Sequence, residues 1–308
     1  MSLNRPVWKL RDWINDNIDK IDWSSLSSNP NAIKMLDENR NKIDWYYLSR
    51  NPNAIKILEE NPDKIKWNWL SKNHNAIKLL KEENKRNRDK INWSMLSTNL
   101  GAIKLLEENT DKIDWSWLSS NPNAVKLLEE NPDKINWNLL SYNPGAIKLL
   151  KENTDKINWE WLSGNPNAVK LLEENRDKID WEWLSSNPNA IKLIEEENEE
   201  NQDKIDWYYL SANPNAVNLL KENPAKINWS SLSRNPNAID LLEKENERNR
   251  DKINWFELSR NPAIFQLDYD AMRRNNLKME EDLIKEIMKP SRVFKDPNYD
   301  YIEELFGD

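Results

Sequence analysis

The sequence predicts an all-α solenoid of about eleven two-helix repeats, each of 22 to 26 residues, with a cap at each end, and three observations predict it. First, Trp23, Trp45, Trp67, Trp93, Trp115, Trp137, Trp159, Trp181, Trp207, Trp229 and Trp255 head eleven copies of one unit, spaced by 22 residues except for three steps of 26. Self-similarity at a period of 20 to 50 residues is the mark of a repeat architecture and overrides the two-domain expectation that length alone would give. Second, the Asn six residues after each Trp is followed by Pro in nine of the eleven copies. Asn satisfies a free backbone donor at a helix N-cap, and Pro at the first helical position loses nothing while pre-setting φ. Third, the extra four residues of the long copies all fall within 81–88, 195–202 and 243–250, at the end of the second helix. Four residues approximate one helical turn of 3.6, so the insertion nearly preserves the phase of a buried helical face, and a strand would give no reason to prefer that number.

In chain order, residues 1–18 carry Trp8 and Trp13 and are expected to form an amphipathic N-terminal cap. The array runs over 19–262 with the consensus D-K-I-x-W-x-x-L-S-x-N-P-N-A-I-K-L-L-E-E-N-P; the Lys, the Ile, the Leu, the Ser and the Asn recur in every copy. A short first helix follows the capping Asp or Asn before each Trp, with Trp and Leu at i and i+3 on one side. The second helix is expected to start at Asn-Pro, with apolar residues such as Ala124, Val125 and Leu128 on one face and Leu127 flanking, and to stop at Glu-Glu-Asn-Pro. Helices this short are marginal alone, so stacking of one unit on the next must stabilise them. A leucine-rich repeat is the rival reading, since Leu26 to Asn29 fits its Leu-x-x-Asn spacing. Its strand also requires an apolar residue two before the Leu, where this chain has Ser24, Asn68, Glu160 and Glu182. Residues 263–308 are expected to supply C-terminal capping helices, one from Met279 to Met288 and a short last one around 297–306. With helices packed about 8 to 10 Å apart, eleven units stacked in line would make a rod on the order of 100 Å long.

Composition narrows the function. The chain has no Cys and one His among 308 residues, leaving neither a disulfide framework nor the usual soft ligands of a metal centre, and no cofactor or metal is expected. A net charge of -8 argues against a general polyanion binder, because affinity for nucleic acid comes mainly from a surplus of Lys and Arg. No apolar run reaches the length of a membrane helix and the N-terminus lacks the apolar core of a signal peptide, so a cytoplasmic protein is expected, with no membrane partner. Four Gly in all leave no phosphate loop, no G-x-S-x-G context surrounds any Ser, and His74 merely fills a Pro slot. Catalytic sites are singular where this array is repetitive, so an enzyme is not expected and no residue is assigned a catalytic role.

Two stripes stand out as candidate contact surfaces. Two residues after each Trp the chain reads Ser25, Tyr47, Trp69, Met95, Trp117, Leu139, Trp161, Trp183, Tyr209, Ser231 and Glu257, large in the middle and small or polar at the ends. Tyr47, Trp69, Met95, Trp117, Leu139, Trp161, Trp183 and Tyr209 either line a groove for a protein or peptide, as aromatic anchors do at interfaces, or pack between repeats. The second stripe, Lys34, Lys56, Lys78, Lys104, Lys126, Lys148, Lys170 and Lys192, either meets phosphates or forms a solvated mixed-charge face with the Glu four residues on. The Lys before each Ile, from Lys20 to Lys252, is expected to make an inter-repeat ion pair or to lie over a Trp ring.

The W-x-x-L-S-x-N-P-N-A-I-x-L-L unit, together with the ending N-P-A-I-F-Q-L-D-Y-D-A-M, E-E-D-L-I-K-E-I-M-K-P-S-R and Y-D-Y-I-E-E, resembles the Trp-containing repeat proteins of giant viruses, the nucleocytoplasmic large DNA viruses. The resemblance covers nearly the whole chain. It implies a viral protein acting in the host cytoplasm or in a virion, and it transfers no catalytic residue; Lys289 stands where that family often has His, and no role is assigned to it. The expected function is a non-enzymatic interaction scaffold or adaptor with a protein or peptide partner. The alternatives are single-stranded RNA binding, with bases on the aromatic stripe and phosphates on the Lys stripe, and a structural virion component.

Overall fold

The computed structural model describes residues 6–86, 90–198, 202–248 and 250–287, and it is an all-α repeat array. It divides into two compact units, one of residues 12–264 and one of the segments before and after it. The repeats are numbered 1 to 11 from Trp23 to Trp255.

Each first helix starts at its Trp, and in ten of the eleven repeats the preceding side chain caps it. The Asp22 carboxylate accepts from the Ser25 amide at 2.6 Å, and the Asn158 side-chain oxygen accepts from the Trp161 amide at 3.1 Å. Repeat 3 departs from this: Lys66 occupies the N-cap and provides no side-chain bond. The Ser four residues after each Trp turns its hydroxyl back to the Trp carbonyl, as Ser141 does to Trp137 at 2.7 Å, and the helices end within a residue or two of it.

The second helix begins later than its Asn-Pro signal suggests. The Asn oxygen accepts from the amide two residues on, 3.0 Å from Asn121 to Asn123. The tight turn this makes must be completed before the α ladder can begin, so Pro122–Ala124 is a 3-10 turn and the α-helix is Val125–Glu129. A further 3-10 turn, not expected from the sequence, comes next, as at Pro132–Lys134. The insertions lengthen the second helix as expected, to Ile77–Arg86, Ile191–Asn198 and Ile239–Arg248. In two of them the added turn brings a buried carboxylate, Glu83 or Glu245, onto the conserved Lys of the next turn, at 3.2 Å to Lys90 and 2.8 Å to Lys252.

The core is aliphatic. Leu118, Ala124 and Leu128 of repeat 5 are wholly buried, and their equivalents repeat along the chain. The anchor Trp residues are half-buried. In eight of the eleven repeats the Lys of the next repeat lies over the ring: Lys42 lies 4.2 Å from the Trp23 ring centre, Lys134 4.6 Å from Trp115 and Lys156 4.5 Å from Trp137. This is the ring-capping role expected of the recurring Lys.

Successive repeats are joined by a ladder of side-chain amides. Asn51 donates to the carbonyls of Ser27 at 3.0 Å and Asn29 at 2.9 Å in the preceding repeat, and the same pair of bonds recurs at each junction to Asn261, which donates to Ser233 and Asn235. The Ser27 hydroxyl accepts from the Asp44 amide of the next repeat at 3.0 Å, and Asn53 donates to the Pro30 carbonyl at 2.9 Å.

The same bonds join repeat 11 to repeat 1. Asn29 donates to the carbonyls of Ser259 at 3.1 Å and Asn261 at 3.0 Å, the Asp22 amide to the Ser259 hydroxyl at 3.0 Å, and Asn31 to the Pro262 carbonyl at 3.1 Å. Lys20 lies 5.4 Å from the Trp255 ring centre. Residues 12–264 are therefore a solenoid closed on itself, which corrects the expected open rod. The physical reason lies in the unequal bulk of the two helix layers. Small Ser and Asn side chains let first helices approach closely at most junctions, the last against the first included, while no two successive second helices come as near. Each repeat is a wedge, and eleven wedges close if each turns the chain by roughly 33°, the small per-repeat rotation that sets solenoid curvature.

The second unit holds the only described strands, β1 (Trp8–Leu10) and β2 (Phe265–Leu267), paired antiparallel with Trp8 opposite Leu267 and Leu10 opposite Phe265. The Asp268 side chain caps the Ala271 amide at 3.0 Å, so the helix Tyr269–Ile287 begins ten residues before the expected Met279. Lys289 and the short helix expected around 297–306 lie outside the described residues.

Candidate interaction face

In a closed array the helices with the tighter spacing form the inner layer, so the first helices line the inside. Leu at three residues after the Trp and Ser at four are buried; positions one, two and five after the Trp lie on the opposite side of the helix. Contacts between repeats that are not neighbours show that this side is concave. The Arg260 guanidinium of repeat 11 lies 5.2 Å from the Tyr47 ring centre of repeat 2, across repeat 1. Tyr142 of repeat 6 meets Trp183 of repeat 8 edge-on at 6.1 Å, across repeat 7. Side chains two repeats apart converge on a concave surface and diverge on a convex one.

The aromatic stripe is on this face, and its members divide between the two roles weighed from sequence. Trp117 is 49% exposed and Tyr209 38%. Tyr47, Trp69, Met95, Leu139, Trp161 and Trp183 are half-buried. Trp161 and Trp183 stack at 5.6 Å with an interplanar angle of 20°, and the Trp183 indole donates to Glu160 at 3.2 Å. Gly164 makes this possible, since a Cβ there would meet Tyr142 at 3.1 Å and Trp183 at 3.2 Å. Ser25 and Ser231 are buried, so those small residues sit beneath larger neighbours and do not mark relaxed ends.

Sequence reasoning missed the flanking positions. Tyr46 packs on Trp69 at 4.5 Å, and the guanidinium of Arg50 lies 5.9 Å from the Trp69 ring centre. Arg234 lies 5.5 Å from the Tyr208 ring centre and donates to its hydroxyl at 3.0 Å, while Arg260 lies 4.6 Å from that of Phe256. Burial first, and then the Arg50 charge, hold the Lys72 ammonium below its ordinary pKa. The signal was available: positions one and five vary as freely as position two, and a helical period of 3.6 puts the three together.

The Lys stripe lies on the second helices, in the outer layer. Lys56, Lys126 and Lys148 have side chains 85–89% exposed, each 3.9 Å from the Glu four residues on, as a solvated mixed-charge face requires. The arrangement does not bring this stripe together with the aromatic one. His74 is exposed in its Pro slot. Among the described residues no group of three or more His, Cys, Asp or Glu side chains is placed to hold a metal ion, and no helix is long and apolar enough to cross a membrane.

These features define a class of protein: a closed α-helical repeat array with an aromatic concave face. Comparison with models of known families, with curated proteins and with solved structures finds no match.

Proposed function

We propose that the protein is a non-enzymatic interaction scaffold that holds a protein or peptide partner on its concave face, through Tyr47, Trp69, Met95, Trp117, Leu139, Trp161, Trp183 and Tyr209 with their neighbours. The observation that carries this reading is the run of large aromatic side chains left partly open on one inward-facing surface, with Trp117, Tyr46, Tyr208, Tyr209 and Phe256 each more than a third exposed. Contiguous exposed apolar surface marks interaction sites, and Trp, Tyr and Arg are the residues that dominate interface energetics. The repetitive unit offers no singular acid, base or nucleophile in this face. On the sequence resemblance, the setting is a giant-virus protein in the host cytoplasm or in a virion.

Single-stranded RNA binding is the weaker reading, because it calls for aromatic and Lys stripes on one surface and they occupy different helix layers. The test is affinity capture from the source cells with mass spectrometry. Wild type is compared with a Trp117→Ser, Tyr209→Ser double variant and with an outer-layer Lys126→Glu variant. The expected result is a partner recovered by wild type and the outer variant and lost with the inner one, with helicity and melting temperature unchanged. Equal recovery by all three overturns the reading.

A further inference from the structure

Closure gathers on one arc of the concave face side chains that stand at opposite ends of the sequence. At positions one, two and five after the anchor Trp, the cations are Arg234 of repeat 10, Arg260 of repeat 11, Arg50 of repeat 2 and Lys72 of repeat 3. All four fall in five consecutive repeats that span the junction of repeat 11 with repeat 1. The same positions in repeats 4 to 9 hold no cation and two acids, Glu160 and Glu182; the seam arc holds one acid, Glu257. The concave face of a protein of net charge -8 is thus polarised, positive at its seam and negative opposite.

No ion pair among the described residues neutralises the positive arc. Among the described residues none of the four cations has a carboxylate within ion-pair distance, and the three guanidiniums lie instead on the rings of Trp69, Tyr208, Phe256 and Tyr47. Two buried polar atoms at the centre of the arc lack hydrogen-bond partners: Arg260 Nε, and the hydroxyl of Ser25, a residue with no exposed surface. Ser25 belongs to the repeat that Arg260 spans to reach Tyr47. Lys66, at the rim in repeat 3, stands where every other repeat has Asp or Asn and makes no capping bond. Repeat 3 thus forgoes a side-chain helix cap and gains a positive charge. Local rules are broken together where a ligand would make use of the change.

We propose that this seam arc is the selective part of the concave face, and that it binds an extended acidic polypeptide segment whose carboxylates pair with Arg260, Arg50 and Arg234 while apolar side chains lie against Tyr47, Trp69 and Phe256. The proposal rests on the scaffold reading. A guanidinium stacked on an aromatic ring keeps its N–H edge free for bidentate pairing with a carboxylate. The Trp161 and Trp183 pair lies beside Glu160 and Glu182, which repel a phosphate backbone. Carboxylates spaced along a peptide therefore suit the arc better than a polynucleotide.

The experiment is panning of a displayed random 12-residue peptide library on the full chain, followed by affinity measurement on the enriched peptides. The expected result is enrichment of Asp and Glu beside apolar residues. Affinity should fall at least about fivefold on Arg260→Gln or Arg50→Gln, less on Arg260→Lys, and steeply with added salt, while the outer-layer Lys126→Gln leaves it unchanged. Variants are compared at equal melting temperature, and Arg50→Gln serves where Arg260→Gln does not fold. Enrichment of neutral or basic peptides, insensitivity to both Arg variants, no enrichment at all, or tight binding of oligouridylate in place of the acidic peptides each overturns the proposal. The scaffold reading is judged separately by the inner and outer variants in affinity capture, so the two stand or fall apart.

Discussion

A single Asn per repeat is bonded in three directions at once. Asn143 accepts from the Gly145 amide at 2.8 Å and donates to the carbonyls of Ser119 at 2.9 Å and Asn121 at 3.0 Å, with no surface exposed. An unpaired buried polar group costs about 1–3 kcal/mol, so removing this side chain orphans more than one group. Asn143→Ala is expected to destabilise by about 2–4 kcal/mol, read from the urea midpoint. Asn143→Asp is expected to be at least as severe, because a carboxylate of the same shape faces two carbonyls it cannot donate to. If Asp were tolerated near neutral pH, the donor role of Asn143 would be wrong. The residue's constancy among the repeats was legible in the sequence, but only its capping half was. The bonds to the preceding repeat join atoms 22 and 24 residues apart, which no local propensity encodes.

At the scale of the helix, the two layers differ in what they tolerate. The second helix carries the natural four-residue insertions and packs less closely on its neighbours; the first is locked on both sides by Ser and Asn. Inserting Glu-Lys-Glu-Asn after Glu129, to lengthen Val125–Glu129 by a turn, is expected to leave the melting temperature within a few degrees. The same four residues after Ser120, between the Ser and the Asn of the repeat, are expected to destroy the array's cooperative transition, followed by circular dichroism. The helices and the place of the insertions at the end of the second helix were readable because caps and periodicity are local signals. The delayed start of the second helix and the extra 3-10 turn were not, because the Asn side chain sets the one and each is only a single turn. The aromatic stripe was found because its position is large in the middle of the array and small or polar at the ends. Its neighbours Arg50, Arg234 and Arg260 were passed over because their shared surface exists only once the chain curves.

For the array as a whole, closure makes the first and last repeats interior ones. In an open solenoid Asn29 would face solvent and its replacement would cost little, and terminal repeats would fray before central ones. Here Asn29→Asp is expected to destabilise as much as Asn143→Asp, and the amides of repeats 1 and 11 are expected to resist hydrogen exchange as well as those of repeat 6. A negligible cost at Asn29 would mean that the solenoid is open in solution. The unit, its number and its helical class were legible in the residues, yet not the circle. The wedge angle depends on how closely Ser, Asn and Ala let neighbouring backbones approach, a property of pairs of repeats.

That circle has no weakest rung at an edge from which to unzip. To free any one repeat, two junctions must open, whereas a linear stack sheds its last unit by losing one. The first rupture releases little chain entropy while forfeiting a whole set of amide and hydroxyl bonds, so the barrier to initial opening is high relative to the equilibrium stability per repeat. Such a protein should survive long exposure to proteases, and it can gain or lose a unit by duplication or deletion only if the remaining wedges change their angle together.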